Sequence, residues 1–227
     1  MIGLGTIVNI AAVIVGSCAG LLIGRRLSAR FMNIMFMGLG LVTLAIGVSM
    51  TIKSNNLIVS VVSILLGGIA GEAMRLEQRL DSVATKLKRT LRFRSERFNE
   101  GFVTATVLFC IGSMAILGSI EDGLGQFPRL LYAKSAMDGV SSLALSATLG
   151  LGVVFSAIPM AIYQGGITLF AGSLHGVLSD AAVAEMTAVG GLMLLGIGLN
   201  LLKITRIPVI NFLPGLIIAP LIAWIFF

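Results

Sequence analysis

Residues 139–174 read GVSSLALSATLGLGVVFSAIPMAIYQGGITLFAGSL, and this stretch contains no charged side chain. A transmembrane α-helix needs about 20 apolar residues to cross a hydrocarbon core of about 30 Å, so the stretch is too long for a single span. Gly150-Leu151-Gly152 lies inside it, where glycines permit a tight turn. We therefore predict two helices that meet there, over residues 131–150 and 153–174.

The rest of the chain repeats this pattern. Its 227 residues are 57% hydrophobic and only 11% charged, whereas a soluble domain carries about a quarter charged residues. The apolar residues form blocks of roughly 20 and not the alternating segments of about ten that a β-barrel requires. The sequence predicts one all-α transmembrane domain over residues 1–227, a polytopic helical bundle of about eight spans. These spans are residues 3–24, 33–52, 56–75, 101–120, 131–150, 153–174, 183–202 and 207–227.

Residues 76–100 form the long polar segment between spans three and four. Leucines and a valine recur there at helical spacing with basic residues between them, which is typical of an amphipathic helix. The segment is expected to lie at the cytoplasmic side, either as a solvated connector or against anionic lipid or a partner. Its charge indicates a membrane surface and not nucleic acid, because no base-reading motif accompanies it.

The basic residues predict the orientation. With eight spans and the N-terminus outside, thirteen of the sixteen Lys and Arg residues follow spans one, three and seven on the cytoplasmic side. The remaining three are Lys53, Arg129 and Lys134. The positive-inside bias therefore favours a multi-pass protein of the bacterial inner membrane with both termini outside.

Two segments of the chain resemble each other. GLVTLAIG occupies residues 40–47 in span two, and GLMLLGIG occupies residues 191–198 in span seven. Spans one to three then correspond to spans six to eight, and the predicted orientation inverts one triplet relative to the other. Inverted repeats of this kind recur in secondary transporters. Composition alone is the competing explanation for the similarity.

Asp138 is the strongest candidate for an intramembrane ionisable site. It follows Lys134 by four residues, so that the two side chains can meet on one helical face. A carboxylate at this depth is costly and marks a proton or cation site, with Ser135, Ser141, Ser142 and Ser146 near it. A structural Lys–Asp pair near the outer interface is the equally weighted alternative.

Gln164 and Tyr163 form a second candidate site in span six. Pro159 precedes them, and Gly165-Gly166 follows, so we expect a broken helix at this point that exposes a substrate-binding corner. A packed kink, with Gln164 hydrogen-bonded across helices, is the alternative. Asn9 in span one and Asn211 in span eight are weaker candidates, and Pro214 and Pro220 predict a discontinuous span eight.

Span four places small residues along one segment, among them Ser113 and Ser119, which suits close packing or a permeation path. Its end carries Glu121 and Asp122, which we expect to be solvated loop charges. Glu72 and Glu185 stand at span ends and are expected to snorkel towards water. Glycines repeat at every fourth position over residues 16–24 and 67–71, a spacing that predicts close helix packing within the chain or in a homodimer.

No nucleotide-binding, zinc, haem or nucleophile motif is present, so we predict neither enzymatic activity nor a cofactor or metal. The successive segments GSCAGLLIG (16–24), GLVTLAIGVSMTIK (40–53), LLGGIAGE (65–72), LFCIGSMAILGSIEDG (108–123), KSAMDGVSSLALSATLGLGV (134–153), YQGGITL (163–169), AVGGLMLLGIGLNLL (188–202) and INFLPGL (210–216) resemble the bacterial membrane family called domain of unknown function 554. The resemblance covers essentially the whole chain. It implies an inner-membrane protein, often described as a possible transport protein, and no known substrate.

These observations favour a secondary transporter of a small polar solute or ion. The expected site surrounds Asp138, Gln164, Asn9 and Asn211, and the carboxylate would couple transport to protons or cations. A non-transporting membrane scaffold or signalling protein, and a small-ion channel, are the alternatives.

Overall fold

The fold is all-helical in a computed structural model, which describes residues 2–24, 28–90, 97–110, 113–174 and 179–226. No strand occurs within these ranges. The helices are α1 (Leu4–Gly24), α2 (Ala29–Thr51), α3 (Leu57–Ala73), α4 (Leu76–Thr90), α5 (Phe98–Cys110), α6 (Ser113–Gly123), α7 (Arg129–Leu149), α8 (Gly152–Phe155), α9 (Ala157–Leu169), α10 (Ala171–Leu174), α11 (Asp180–Leu201) and α12 (Pro214–Phe226), with a 3-10 turn at Val209–Phe212 before α12.

Four of the described helical segments are long and apolar enough to cross a membrane: Leu4–Gly24, Asn33–Thr51, Gly152–Leu169 and Asp180–Leu201. Two bent helix pairs raise the number to six if each pair is one span. One pair joins α3 to the start of α4 with a bend of 56°, and the other joins α5 to α6 with a bend of 63°. Eight spans therefore remain a prediction, since α7 contains Lys134 and Asp138 and Val209–Trp224 is a shorter apolar helix.

Many large apolar side chains on these helices have no protein neighbour to cover them. Trp224 is 81% exposed, Leu169 is 80% exposed and Ile162 is 72% exposed. A soluble protein does not leave so much apolar surface in water, so these faces are suited to lipid.

Local signals explain several of the helix ends. Asn56 accepts a hydrogen bond from the amide of Ile58 and caps α3, and Ser179 accepts one from the amide of Ala182 and caps α11. Gly150 ends α7 with a φ of +81°, which confirms the predicted turn at Gly150-Leu151-Gly152. Arg75 has a φ of +52° at the bend between α3 and α4, a rare conformation for a residue with a side chain.

The helix around Gln164 differs from the prediction. The interruption lies at Ser156, between α8 and α9, and α9 continues through Gly165-Gly166. Pro159 falls in the first turn of α9, where its missing N–H leaves no intrahelical bond unmade, so it need not break the helix. In the predicted span eight, a 3-10 turn precedes α12 and Pro214 begins that helix, whereas Pro220 lies inside α12 and does not interrupt it.

The chain divides into two compact units. The first comprises Met1–Phe36, Ala84–Cys110 and Met114–Gly176, and the second comprises Met37–Val83, Ile111–Ser113 and Val177–Phe227. The single domain that we predict over residues 1–227 stays a prediction. The predicted connector is helical over Leu76–Thr90, whereas residues 91–96 lie outside the described residues and Phe98 already begins α5.

In the first unit, α1 and α7 pack side by side in the same direction. A Cβ built on Gly16 would collide with the Gly139 carbonyl, and one on Gly20 would collide with the Leu143 carbonyl. A Cβ on Gly24 would lie 2.5 Å from the Ala147 carbonyl oxygen. The glycines at every fourth position therefore form an internal helix contact, as predicted, because only a bare backbone allows this approach.

Candidate functional site

Four side chains from three helices form one polar network in the first unit. Lys134 and Asp138 lie on α7, Asn9 lies on α1 and Gln164 lies on α9. The Lys134 ammonium lies 3.0 Å from Asp138 Oδ1 and 2.8 Å from Oδ2, which confirms the predicted contact between residues four apart. Asn9 Nδ2 donates to Asp138 Oδ2 at 3.1 Å and to Gln164 Oε1 at 3.2 Å. We call these four residues the Asp138 network.

The Asp138 network is buried. Lys134 and Asp138 are each 6% exposed, and Asn9 and Gln164 are fully buried. The carboxylate and the ammonium compensate each other's charge, which is how charged groups are tolerated away from water. The close approach of α1 and α7 places the Asn9 amide within reach of the Asp138 carboxylate.

The carboxylate of Asp138 fixes the orientation of both amides. A carboxylate only accepts hydrogen bonds, so Asn9 must turn its Nδ2 towards Asp138. The same nitrogen then requires an acceptor from Gln164, which turns its Oε1 towards Asn9. As a result Asn9 Oδ1 and Gln164 Nε2 point away from these bonds, and both are buried with no hydrogen-bond partner. The network thus retains one unused acceptor atom, Asn9 Oδ1, and one unused donor atom, Gln164 Nε2, with both of its N–H groups free.

A second buried carboxylate lies beside the same helices. Asp122 at the end of α6 is fully buried, so the expectation of a solvated loop charge is wrong. It accepts hydrogen bonds from the amides of Gly5 and Thr6 at 3.2 and 2.9 Å and from the Thr6 hydroxyl at 3.1 Å. The first turn of a helix leaves its amides without internal partners, and Asp122 satisfies two of them for α1.

Thr6 and Thr168 extend the polar contacts along the same pair of helices. Their hydroxyl oxygens lie 3.0 Å apart, one turn from Asn9 on α1 and one turn from Gln164 on α9. Sequence reasoning placed Asp122 in solvent and did not single out Thr6, Thr168 or Met160, whose sulfur lies 3.8 Å from Asn9 Nδ2. The helical spacings of three and four residues from Asn9 and Gln164 were the available signal for the two threonines.

Glu185 of α11 forms a comparable centre in the second unit. Its carboxylate accepts from the Ser54 and Ser60 hydroxyls, each at 2.8 Å, and from the amides of Asn55 and Asn56 at 2.7 and 2.9 Å. Glu185 is fully buried, so the expectation that it snorkels to water is wrong. A span-end position in the sequence does not reveal that the α2–α3 loop folds over the carboxylate.

Asn211, a predicted site residue, also lies in the second unit. Its Nδ2 donates to Glu72 at 2.6 Å, and its Oδ1 accepts from the amide of Glu77 at 2.9 Å. The residue therefore joins the end of α3 to the start of α4. These contacts make Asn211 a cap at the bend between the two helices.

The serine and tyrosine side chains that we predict to line the site differ in burial and in hydrogen bonding. Ser142 donates to the Gly139 carbonyl of its own helix at 2.8 Å, and Ser141 is half-buried. Ser119 is fully buried with an unpartnered hydroxyl. Tyr163 is half-buried next to Gln164 in α9. The Ser113 side chain lies outside the described residues.

Comparison with known proteins identifies the chain. The family model described as "Protein of unknown function (DUF554)" matches residues 4–224. The chain belongs to the DUF554 family. This membership confirms the resemblance that the sequence motifs indicated.

Two DUF554 relatives match over nearly their whole length. The uncharacterized membrane protein YdfK of Bacillus subtilis (strain 168) is 31% identical over 225 residues, which cover 97% of this chain and 96% of that protein. The uncharacterized protein YqgA of Escherichia coli (strain K12) is 33% identical over 221 residues, which cover 95% of this chain and 94% of that protein. No solved structure matches the chain. Together with the exposed apolar helices, the family places this chain among membrane proteins, in a lipid bilayer.

Proposed function

We propose that this protein is a secondary transporter of a small polar solute or ion, coupled through the membrane-embedded carboxylate of Asp138. The observation that carries the proposal is the Asp138 network, in which a carboxylate, an ammonium and two amides are buried between three helices. Charged groups inside a bilayer are costly and mark substrate or ion pathways. We place the protein in the bacterial inner membrane with both termini outside, as its basic residues favour.

The packing of α2 against α11 supports an inverted repeat. A Cβ on Gly47 would lie 2.9 Å from the Gly191 carbonyl oxygen, and a Cβ on Gly191 would lie 2.7 Å from the Gly47 carbonyl oxygen. Gly40 and Gly198 have the same mutual relation, at 3.4 and 3.1 Å. The first glycine of each similar segment therefore faces the last glycine of the other. An antiparallel contact of this register is what a two-fold axis between the two segments would produce.

The other proposed repeat partners also pack antiparallel within their own units. In the first unit, Thr6 contacts Thr168 and Asn9 contacts Gln164. Residue numbers therefore increase along α1 in the direction in which they decrease along α9, so the two helices are antiparallel. In the second unit, Gly67 approaches Gly215, and Gly71 approaches Asn211. Antiparallel partners are consistent with triplets of opposite orientation, which alternating access uses to exchange conformations.

One observation favours the alternative of a non-transporting scaffold. The Asp138 network is buried as deeply as a structural polar core would be. A core that serves only stability is expected to satisfy its buried polar atoms. The unused Asn9 Oδ1 and Gln164 Nε2 leave the network with hydrogen-bonding capacity for a solute, which supports the transporter.

Electrical recording from proteoliposomes tests the proposal. A library of amino acids, organic acids and inorganic ions is applied with and without a proton or sodium gradient. We expect a solute-dependent, gradient-sensitive current that Asp138→Asn abolishes. Asp180→Asn is the matched control, because it removes one negative charge from an exposed position and should leave the current unchanged. Current at the wild-type level in Asp138→Asn would refute coupling through Asp138.

A further inference from the structure

The Asp138 network offers four distinct contacts to a ligand. Asp138 supplies a negative charge and Lys134 a positive charge. Asn9 Oδ1 supplies an acceptor and Gln164 Nε2 a donor, both buried and unpartnered. The two amides are hydrogen-bonded to each other at 3.2 Å, so the unused atoms belong to adjacent groups.

The ion pair between Lys134 and Asp138 restricts which ligands can enter. Both carboxylate oxygens already lie within 3.0 Å of the Lys134 ammonium. An inorganic cation on Asp138 would displace that ammonium and leave it buried without a counter-ion. An anion on Lys134 would leave the carboxylate unpaired in the same way. Removing one partner from a buried pair carries a large free-energy cost, because the remaining charge is desolvated and uncompensated.

A ligand with both charges avoids this cost. Inserted between Lys134 and Asp138, its ammonium pairs with the carboxylate and its carboxylate pairs with the lysine, so every charge keeps a partner. The two unused atoms are of the types that such a ligand also needs, because Asn9 Oδ1 can accept from an N–H and Gln164 Nε2 can donate to a carboxylate oxygen.

We infer that the Asp138 network is the binding site of a small zwitterion that carries an ammonium and a carboxylate group, as α-amino acids do. The inference rests on the proposed transport function and names its substrate class. Without ligand, the Lys134–Asp138 contact closes the site by pairing the two charges with each other.

Binding to the full-length protein in nanodiscs tests the inference without any variant. The twenty L-amino acids are screened by thermal shift, and each hit is compared with its carboxamide, which is a cation, and its deaminated acid, which is an anion. For alanine these analogues are L-alaninamide and propionate. We expect at least one amino acid to bind, and both of its analogues to bind roughly tenfold more weakly or worse. Absence of any amino acid hit, or an analogue that binds as tightly as the zwitterion, would overturn the inference.

Two variants distinguish charge recognition from a structural role. Lys134→Met removes the partner of the ligand carboxylate, so we expect its preference to shift from the amino acid to the carboxamide. Asp138→Asn removes the partner of the ligand ammonium, and its preference should shift to the deaminated acid. A variant that is merely unstable would lose all three ligands together. Lys53→Met, at an exposed lysine, should keep the wild-type order. Variants that fold but keep the wild-type preference would contradict the assigned contacts.

The binding and flux measurements separate this inference from the proposed function. Binding of an amino acid without gradient-sensitive flux would refute transport and retain the zwitterion site. Gradient-sensitive flux of an inorganic ion, with no amino acid bound or carried, would refute the zwitterion and retain transport.

Discussion

Asn9 donates to Asp138 at 3.1 Å although the two residues are 129 positions apart in the sequence. This bond fixes the Asn9 amide, and through it the Gln164 amide, because a carboxylate accepts and does not donate. The unused atoms of both amides are therefore a consequence of Asp138.

Replacement of Asn9 tests this dependence. Asn9→Leu should lower the free energy of unfolding by about 1–3 kcal/mol, because Gln164 Oε1 loses its donor and Asp138 loses one of its hydrogen bonds inside an apolar environment. Denaturant unfolding in detergent measures the change. Asn33→Leu, at an exposed position, is the matched control and should unfold like the wild type. Equal stability of the two variants would argue against a contribution from the Asn9 contacts.

The space around two glycines of the first unit, Gly20 in the contact between α1 and α7 and Gly166 on α9, predicts opposite effects of replacing them by alanine. Gly20→Ala should destabilise the protein by about 1–3 kcal/mol, because its Cβ would collide with the Leu143 carbonyl and the Ser146 hydroxyl. Gly166→Ala has open space around its Cβ and should be neutral or stabilising by up to about 1 kcal/mol, since alanine is the better helix former. Thermal unfolding in detergent ranks the variants, and the reverse order would contradict this packing.

Gly47 and Gly191 face each other across the contact between α2 and α11, so replacing either one by alanine should have a similar effect on stability. Gly47→Ala and Gly191→Ala should each destabilise the second unit by a similar amount, because each Cβ would meet the backbone of the partner glycine. The double variant should cost less than the sum, since both changes push apart the same two helices. A double-mutant cycle on the unfolding free energy measures this coupling. Strict additivity would indicate that the two glycines act independently.

Glu185 should stabilise the second unit through the loop that precedes α3. Glu185→Gln replaces one acceptor oxygen by a donor among groups that all donate, so we expect a loss of about 1–3 kcal/mol. Asp180→Asn removes the same charge from an exposed position of the same helix and serves as the control. Hydrogen exchange at the amides of Asn55 and Asn56 should increase in Glu185→Gln. Unchanged protection of these amides would exclude the capping role.

The spacing of residues along a single helix or turn was sufficient to predict several features of the fold and the site. A separation of four residues on one helix brings Lys134 to Asp138 regardless of the rest of the fold. A glycine at every fourth position presents a bare helix face, and Gly150 supplies the positive φ at which α7 ends. Each of these features depends on residues of one helix or one turn.

Burial of the carboxylates could not be predicted in this way. Asp122 and Glu185 stand near helix ends, where sequence patterns place solvated charges, yet both are fully buried. Whether a helix end meets water depends on which other helix begins beside it, and for Asp122 that helix is α1. The continuity of α9 past Gly165-Gly166 has a similar cause, because packing against α1 outweighs the weak helix preference of glycine.

By itself, the sequence determined that this chain is a helical membrane protein of the DUF554 family, because long apolar blocks leave the backbone no other way to satisfy its hydrogen bonds in lipid. It also determined the Lys134–Asp138 pair, which one helix turn brings together. The tertiary structure alone decided that Asn9 and Gln164 join this pair, since hydrogen bonds between residues more than a hundred positions apart exist only after α1, α7 and α9 have packed.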